Sequence, residues 1–435
     1  MFKRGIVLCL AICIFIGTVT LAAGKLSRSV IAEKLIAQID FSSWIQKFFK
    51  VSPNNKRVAY AAKGGNKVFM VVDGNDEKKY DGIGPPIFSP DSKQIAYVAQ
   101  EGNKKFVVVD GKEDKQFDDI EDLNLIFSPN SKRMAYAAKV GSKWSVVVDG
   151  KAEGQYDSIG IGGLIFSPDS KRVAHVAIIE SKWIVVVDGK EEKQYDGIGA
   201  GGLIFSPDSK HVAYAARVGS KWSVVVDGKE GEQYDAIGGS TFLFDAIGGS
   251  PFLFSPDSKQ IAYVAREDNK KFVVVDGKEG ERYDDIGAGG LIFSPNSKRM
   301  AYVAIVGSKW FVVVDGKESR KYDGFLDNSL IFSPDSRRVA YGTRVGNKVF
   351  IVVDGIEKKQ YDNIGSPTFS PDSMRVAYTA SVNNKWFVVV DEEEGKQHEH
   401  IVTIGGGRII FDSPNSLHYF TVKGNGIYLV EEAIK

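Results

Sequence analysis

The chain of 435 residues is long enough for several ordinary domains or for one large repeat array, and glycine is abundant at 46. Lys plus Arg (56) nearly equals Asp plus Glu (55), which excludes a global field drawing in nucleic acid or an anionic membrane. Both cysteines, Cys9 and Cys13, fall among the first fifteen residues, so the rest has no disulfide, thiolate ligand or cysteine nucleophile.

Those first residues carry a positive "MFKR", then the apolar run "GIVLCLAICIFIGTVTLAA", then small residues suited to cleavage near Ala23 or Gly24. Residues 1–24 read as a signal peptide or as a retained N-terminal anchor. Either way the bulk of the chain is expected to be exported. No Asn-x-Ser/Thr acceptor occurs, which favours a bacterial envelope over a eukaryotic secretory route. In residues 25–47, Val30, Ile31, Leu35, Ile36 and Ile39 fit a short amphipathic helix, acting as a spacer or a cap.

From about residue 48 the chain repeats. Its Ser-Pro dipeptides place prolines at 53, 90, 129, 168, 207, 256, 295, 334, 371 and 414, usually 39 residues apart. The one step of 49 holds "DAIGGSTFLF" (235–244) followed at once by "DAIGGSPFLF" (245–254), a tandem copy absorbed by a loop. Take the unit from Leu203. "LIF" is a strand stopped by Ser-Pro, and "SPDS" has turn chemistry. "HVAYAA" is a second strand. "WSVVV" is a third, whose unbroken apolar run predicts burial on both faces. Asp-Gly then predicts a type I′ hairpin turn. A polar, outermost strand through "EQYDAIG" follows, and a glycine-rich loop returns to the next unit. Units of four short antiparallel strands cannot bury both faces alone. The predicted fold is therefore an all-β propeller spanning 48–435, with nine full repeats and a partial tenth, as one large ring or two smaller ones.

"FSPDSKRVAY" resembles the signature of the WD40-like PD40 repeats of TolB-type bacterial propellers, and the resemblance covers nearly everything from 48 to 430. It departs where this chain has Ser170, Ser209 or Ser258, since members usually carry Gly there. The resemblance implies a propeller that works by contacting envelope lipoproteins. TolB-type proteins also carry an N-terminal α/β domain, for which 25–47 is too short, and prolyl-oligopeptidase-type propellers carry a hydrolase domain that this chain is not expected to hold.

Two charged positions recur. A lysine lies six residues before each third-strand Asp, among them Lys104, Lys143, Lys182, Lys221 and Lys309. Seven residues after that Asp comes an aromatic followed by an acid, as in Tyr156-Asp157 and Tyr195-Asp196, and the ninth copy reads His398-Glu399. Strand order puts lysines and acids on one face. They form either a charged ring that binds a partner or one ion pair per blade, and the second is the simpler account. Trp144, Trp183, Trp222, Trp310 and Trp386 share the start of the third strand, where blade packing accounts for them better than ligand stacking does. "GIGAGG" (197–202) lacks the following helix that a phosphate cradle needs, so it reads as tight turning near the axis. "HEH" (398–400) is the one metal-like cluster and lacks an evident third ligand.

No nucleophile elbow and no His-Glu-x-x-His motif occurs. The expected protein is a non-enzymatic, periplasmic or envelope-associated platform for an envelope protein or peptide. No cofactor, metal or nucleic acid is expected, and any membrane contact is confined to a retained N-terminal segment. Lys104, Lys143, Lys182, Lys221, Lys309, Asp157, Asp196, His398 and His400 are the candidate binding residues. The alternative is a propeller that binds, or hydrolyses, a small molecule or glycan at its channel mouth, with the ninth blade's "DEEEGKQHEHIVTIGGG" breaking the symmetry.

Overall fold

The computed structural model describes residues 27–238, 252–287 and 290–435. The signal-or-anchor segment 1–24 and the junction of the tandem copies lie outside the described residues. Within them every regular element is a strand, and the strands form ten antiparallel sheets. Blades 1 to 9 span 44–80, 82–113, 119–156, 158–191, 197–234, 236–279, 285–318, 324–357 and 363–394. Blade 10 combines 400–434 with the strand Arg28–Gln38.

Blade 4 shows how the repeat folds. Ser158–Phe166 pairs with Val173–Ile179, which pairs with Lys182–Val187, which pairs with Lys190–Glu191. The first strand lies nearest the axis, where first strands of neighbouring blades approach one another. The third strand is buried on both faces, and its period of two divides it between neighbours. Ile184 and Val186 pack towards blade 3, whereas Val185 and Val187 pack towards blade 5. Ten such clusters join successive blades. The cluster between blades 10 and 1 holds Phe420, Ile427 and Leu429 against Val58, Tyr60 and Val71. There is therefore one closed ring of ten blades.

Two expectations are corrected. The return loop is corrected in blades 4 and 5, where the glycine-rich run lies within the innermost strand, Ser158–Phe166 and Gly197–Phe205. The residues between Ile198 and Leu203 bulge from the ladder with Gly201 at φ +64°, so tight turning near the axis is kept. In blade 7, Gly287 and Gly290 lie outside the strands. Glycine is a poor strand former, but near the axis neighbouring groups crowd it. A Cβ on Gly163 would stand 3.0 Å from Val176 Cβ. The second correction concerns 25–47. Arg28–Gln38 is not a helix or a spacer but a strand antiparallel to Gly426–Ile434, and Trp44–Val51 is the innermost strand of blade 1. The tenth unit supplies too few strands to cover its own edge, and the pairing offered by that edge overrides a weak helical pattern.

Candidate functional site

The ring has two faces. On the turn face of blades 1 to 8 each Ser-Pro turn lies beside an Asp-Gly hairpin, and in blade 9 Asp391-Glu392 takes that place. In blade 4 the Ser167 hydroxyl donates to Asp169 (2.7 Å) and accepts from the Arg172 amide (2.9 Å). Ser170 adopts φ +66°, which accounts for the Gly of the family it resembles. Serine is used here because its hydroxyl accepts the Asn130 amide of blade 3 at 3.0 Å. Asp188 (φ +51°) and Gly189 (φ +76°) form the expected type I′ turn. Asp188 also holds the Val173 amide and the Arg172 guanidinium. Arg172 then crosses the seam to the Ser209 and Lys210 carbonyls and lies over the Phe205 ring.

The opposite face carries the second-to-third-strand hairpins and the crossings between blades. Here the structure brings the predicted lysines and acids together. Lys104 meets Asp118, Lys143 meets Asp157, Lys182 meets Asp196, Lys221 meets Asp235 and Lys309 meets Asp323, at 2.5–2.9 Å. The other carboxylate oxygen accepts an amide from the next blade's hairpin, as Asp157 does from Glu180 and Asp196 from Gly219. Each acid is thus a clasp over one seam. The adjacent ammonium and amide hold Asp157 and Asp196 below the usual carboxylate range. Solvent screens these exposed pairs.

The three residues of "HEH" part company. His398 takes the buried seat that Tyr or Phe fills in the sister blades, edge-on to Tyr419, and burial pushes its pKa down. Glu399 accepts the Gly424 amide, and His400 lies exposed against Trp386. Among the described residues no three His, Cys, Asp or Glu side chains are grouped to hold a metal ion.

Three features escaped the sequence reading. Val140, Val218, Val306, Val345 and Val382 stand exposed on the clasp-face hairpins, 38–64% accessible. They could have been read from the Val that opens each V-G-S-K, V-G-N-K or V-N-N-K turn. Next, the half-buried Trp of the third strand is exchanged for Lys105 or Lys271, and the neighbouring inner strand then supplies Asp119 or Asp285 as partner. Third, a cleft of about 370 Å³ opens on the clasp face between blades 4 and 5, lined by Trp183, Asp196, Gly197, Ile198, Arg217 and Trp222. Another, of about 470 Å³, lies beside Arg28 and Glu432 where blade 10 closes.

No family model matches the chain, and no curated protein matches it. Among solved structures it is similar to a eukaryotic initiation factor (16% identity, 79% of this chain and 96% of that one, TM-score 0.46). It is also similar to the Dos1 propeller (11% identity, 93% and 95%, TM-score 0.39). A third is the β-propeller domain of the trilobed protease from Pyrococcus furiosus (15% identity, 64% and 97%, TM-score 0.32). The ring described above, rather than these likenesses, establishes the propeller.

Proposed function

We propose that the protein is an exported, non-enzymatic propeller that binds an envelope protein or peptide through its clasp face, in the manner its PD40-like, TolB-type repeats suggest. The observation that carries this reading is the set of exposed valines on that face, each beside a lysine–aspartate clasp. Apolar side chains repeated at one level of a rigid ring suit multivalent contact with a protein surface. The repeated polar groups are already committed to the seams, which favours binding over catalysis.

The test is affinity capture on immobilised protein starting at Lys25, exposed to envelope extract from its own host. A stoichiometric protein is expected, lost when Val306, Val345 and Val382 are changed together to Asp and kept when Lys93 and Lys171 on the turn face are changed to Glu. A protein retained by the valine variant would overturn the clasp-face assignment. An empty column, with sugars or small ligands bound instead, would favour the channel-mouth alternative.

A further inference from the structure

We propose that the cleft between blades 4 and 5 takes an apolar residue bearing a carboxylate, as the C-terminal residue of a peptide does. This rests on the platform reading and names the chemistry that one part of the clasp face recognises. Trp183, Trp222, Gly197 and Ile198 line the cleft, and Arg217 is its cationic group. A Cβ on Gly197 would lie 3.2 Å from Arg217 Nε and 3.4 Å from Nη2, so glycine makes room for the guanidinium beside it. The guanidinium is held in place. It donates to the Gly219 carbonyl (3.1 Å) and the Asp196 carbonyl (3.0 Å), and lies 5.8 Å from the Trp222 ring centroid. Those bonds use two of its five donors, leaving others for an anion.

The surroundings favour that anion. Asp196, the one carboxylate among the described lining residues, is engaged by Lys182 (2.7 Å) and the Gly219 amide (2.7 Å). Arg217 therefore faces the cleft with no second acid among the described lining residues to neutralise it. Two indoles supply apolar surface, and among the described residues no amide or hydroxyl side chain lines the cleft. A pyranose, which needs several hydroxyl partners, fits this lining worse than an aliphatic side chain next to a carboxylate.

Other seams hold half of the arrangement each. Between blades 7 and 8, Gly324 and Arg344 repeat the close approach (3.1 Å to Nε), but Val349 stands where Trp222 would be. Between blades 3 and 4 both tryptophans are present, as Trp144 and Trp183, but Ser158 and Ile178 replace the Gly and Arg. Among the described residues, glycine, arginine and both indoles come together between blades 4 and 5. The same comparison supplies substitutions already tolerated by this fold, Trp222→Val and Arg217→Ile.

The experiment is a calorimetric titration of the full chain from Lys25 with N-acetyl-Gly-Gly-Leu carrying a free carboxylate, with its C-terminal amide, and with glucuronic acid. The acid is expected to bind saturably, and the amide about tenfold more weakly or worse. Arg217→Ile and Trp222→Val are each expected to weaken the acid about tenfold, with thermal unfolding unchanged. Equal binding of acid and amide, indifference to both substitutions, absence of saturable binding, or preference for glucuronic acid would overturn the proposal. The two readings fail separately. If Arg217→Ile abolishes peptide binding while capture of the envelope partner persists, the cleft stands as a site apart from that partner's. If the valine variant loses the partner and the acid never binds, the platform stands and the cleft proposal falls.

Discussion

Blade 4 and blade 10 have the same sheet order but are held by different chemistry. Blade 4 is built from neighbours in sequence, and its polar contacts are exposed pairs such as Lys182–Asp196. Blade 10 joins residues from the two ends of the described chain, and its central contact is the pair Arg28–Glu432 at 2.6 Å, with side chains 6% and 2% accessible. Arg28 also donates to the Val388 and Glu393 carbonyls of blade 9. Glu432 accepts from the Tyr419 hydroxyl, which contacts His398 at 3.1 Å. The eight seams that do not involve blade 10 share the work through many weak, screened contacts, whereas the closing blade concentrates it in one buried network. Repetition makes each repeated contact individually dispensable, and closure has no copy to fall back on.

The largest expected effect is therefore at the closing strand. A chain beginning at Ile39 should lose at least about 5 kcal/mol of stability, read as the urea midpoint, because an uncovered sheet edge and a ruptured ring replace blade 10. Adding residues 27–38 as a separate peptide should restore part of it. Arg28→Ala should cost about 3–5 kcal/mol, since it leaves Glu432 buried without its partner. An unchanged midpoint in either variant would erase the contrast between the two blades.

His175 is next in size. It occupies the position of Tyr97, Tyr136 and Tyr214, packs edge-on against Tyr156, and its Nε2 has no hydrogen-bond partner among the described residues. Burial pushes its pKa down from 6.5 to about 4, so as pH falls through that window the unfolded chain takes the proton first and stability drops. His175→Tyr should raise stability by about 2 kcal/mol at pH 5, and by much less of this proton-linked term at pH 7.5. Urea titrations at the two pH values check this.

Gln260 offers a smaller gain. It reaches Asp276 in its own blade at 3.2 Å, where Arg172 and Arg299 also cross to the next. Gln260→Arg should add about 1 kcal/mol by reaching across to blade 7.

The smallest effect belongs to the clasps. Asp157→Asn should shift the midpoint slightly at neutral pH. Because the folded pKa of Asp157 is depressed, its contribution is present above the ordinary carboxylate range and fades as pH falls through the lowered value. Wild type and variant should therefore converge in acid. A large loss at neutral pH would show that exposed clasps carry more of the ring than their screening allows.

What the sequence made legible is local. Ser-Pro, Asp-Gly and the run "WSVVV" mark turns and a doubly buried strand within a few residues, so blade architecture follows from short-range chemistry. The closing strand was missed because the bond between Arg28 and Glu432 spans 404 positions and has no local signature. The glycine-rich runs of blades 4 and 5 read as loops because glycine's weak strand preference is a local property, while the crowding that suits it there belongs to the assembled ring. The cleft was hidden for a related reason: Trp183 comes from blade 4, and Gly197, Arg217 and Trp222 come from three strands of blade 5. The recurrence of lysines and acids was visible and their shared face was correctly placed, but only coordinates show that each acid also bridges to the next hairpin.

The pairing of Arg28–Gln38 with Gly426–Ile434 also sets an order of events during synthesis. The first of the described strands is among the last to find its place, since its partner is made only after all nine other blades. Successive blades can stack as they emerge, but the growing stack is an open arc with an unpaired strand at its leading end. Completion is then a single step of intramolecular docking, and until it happens that strand is available to the wrong partner, including the same strand of another copy.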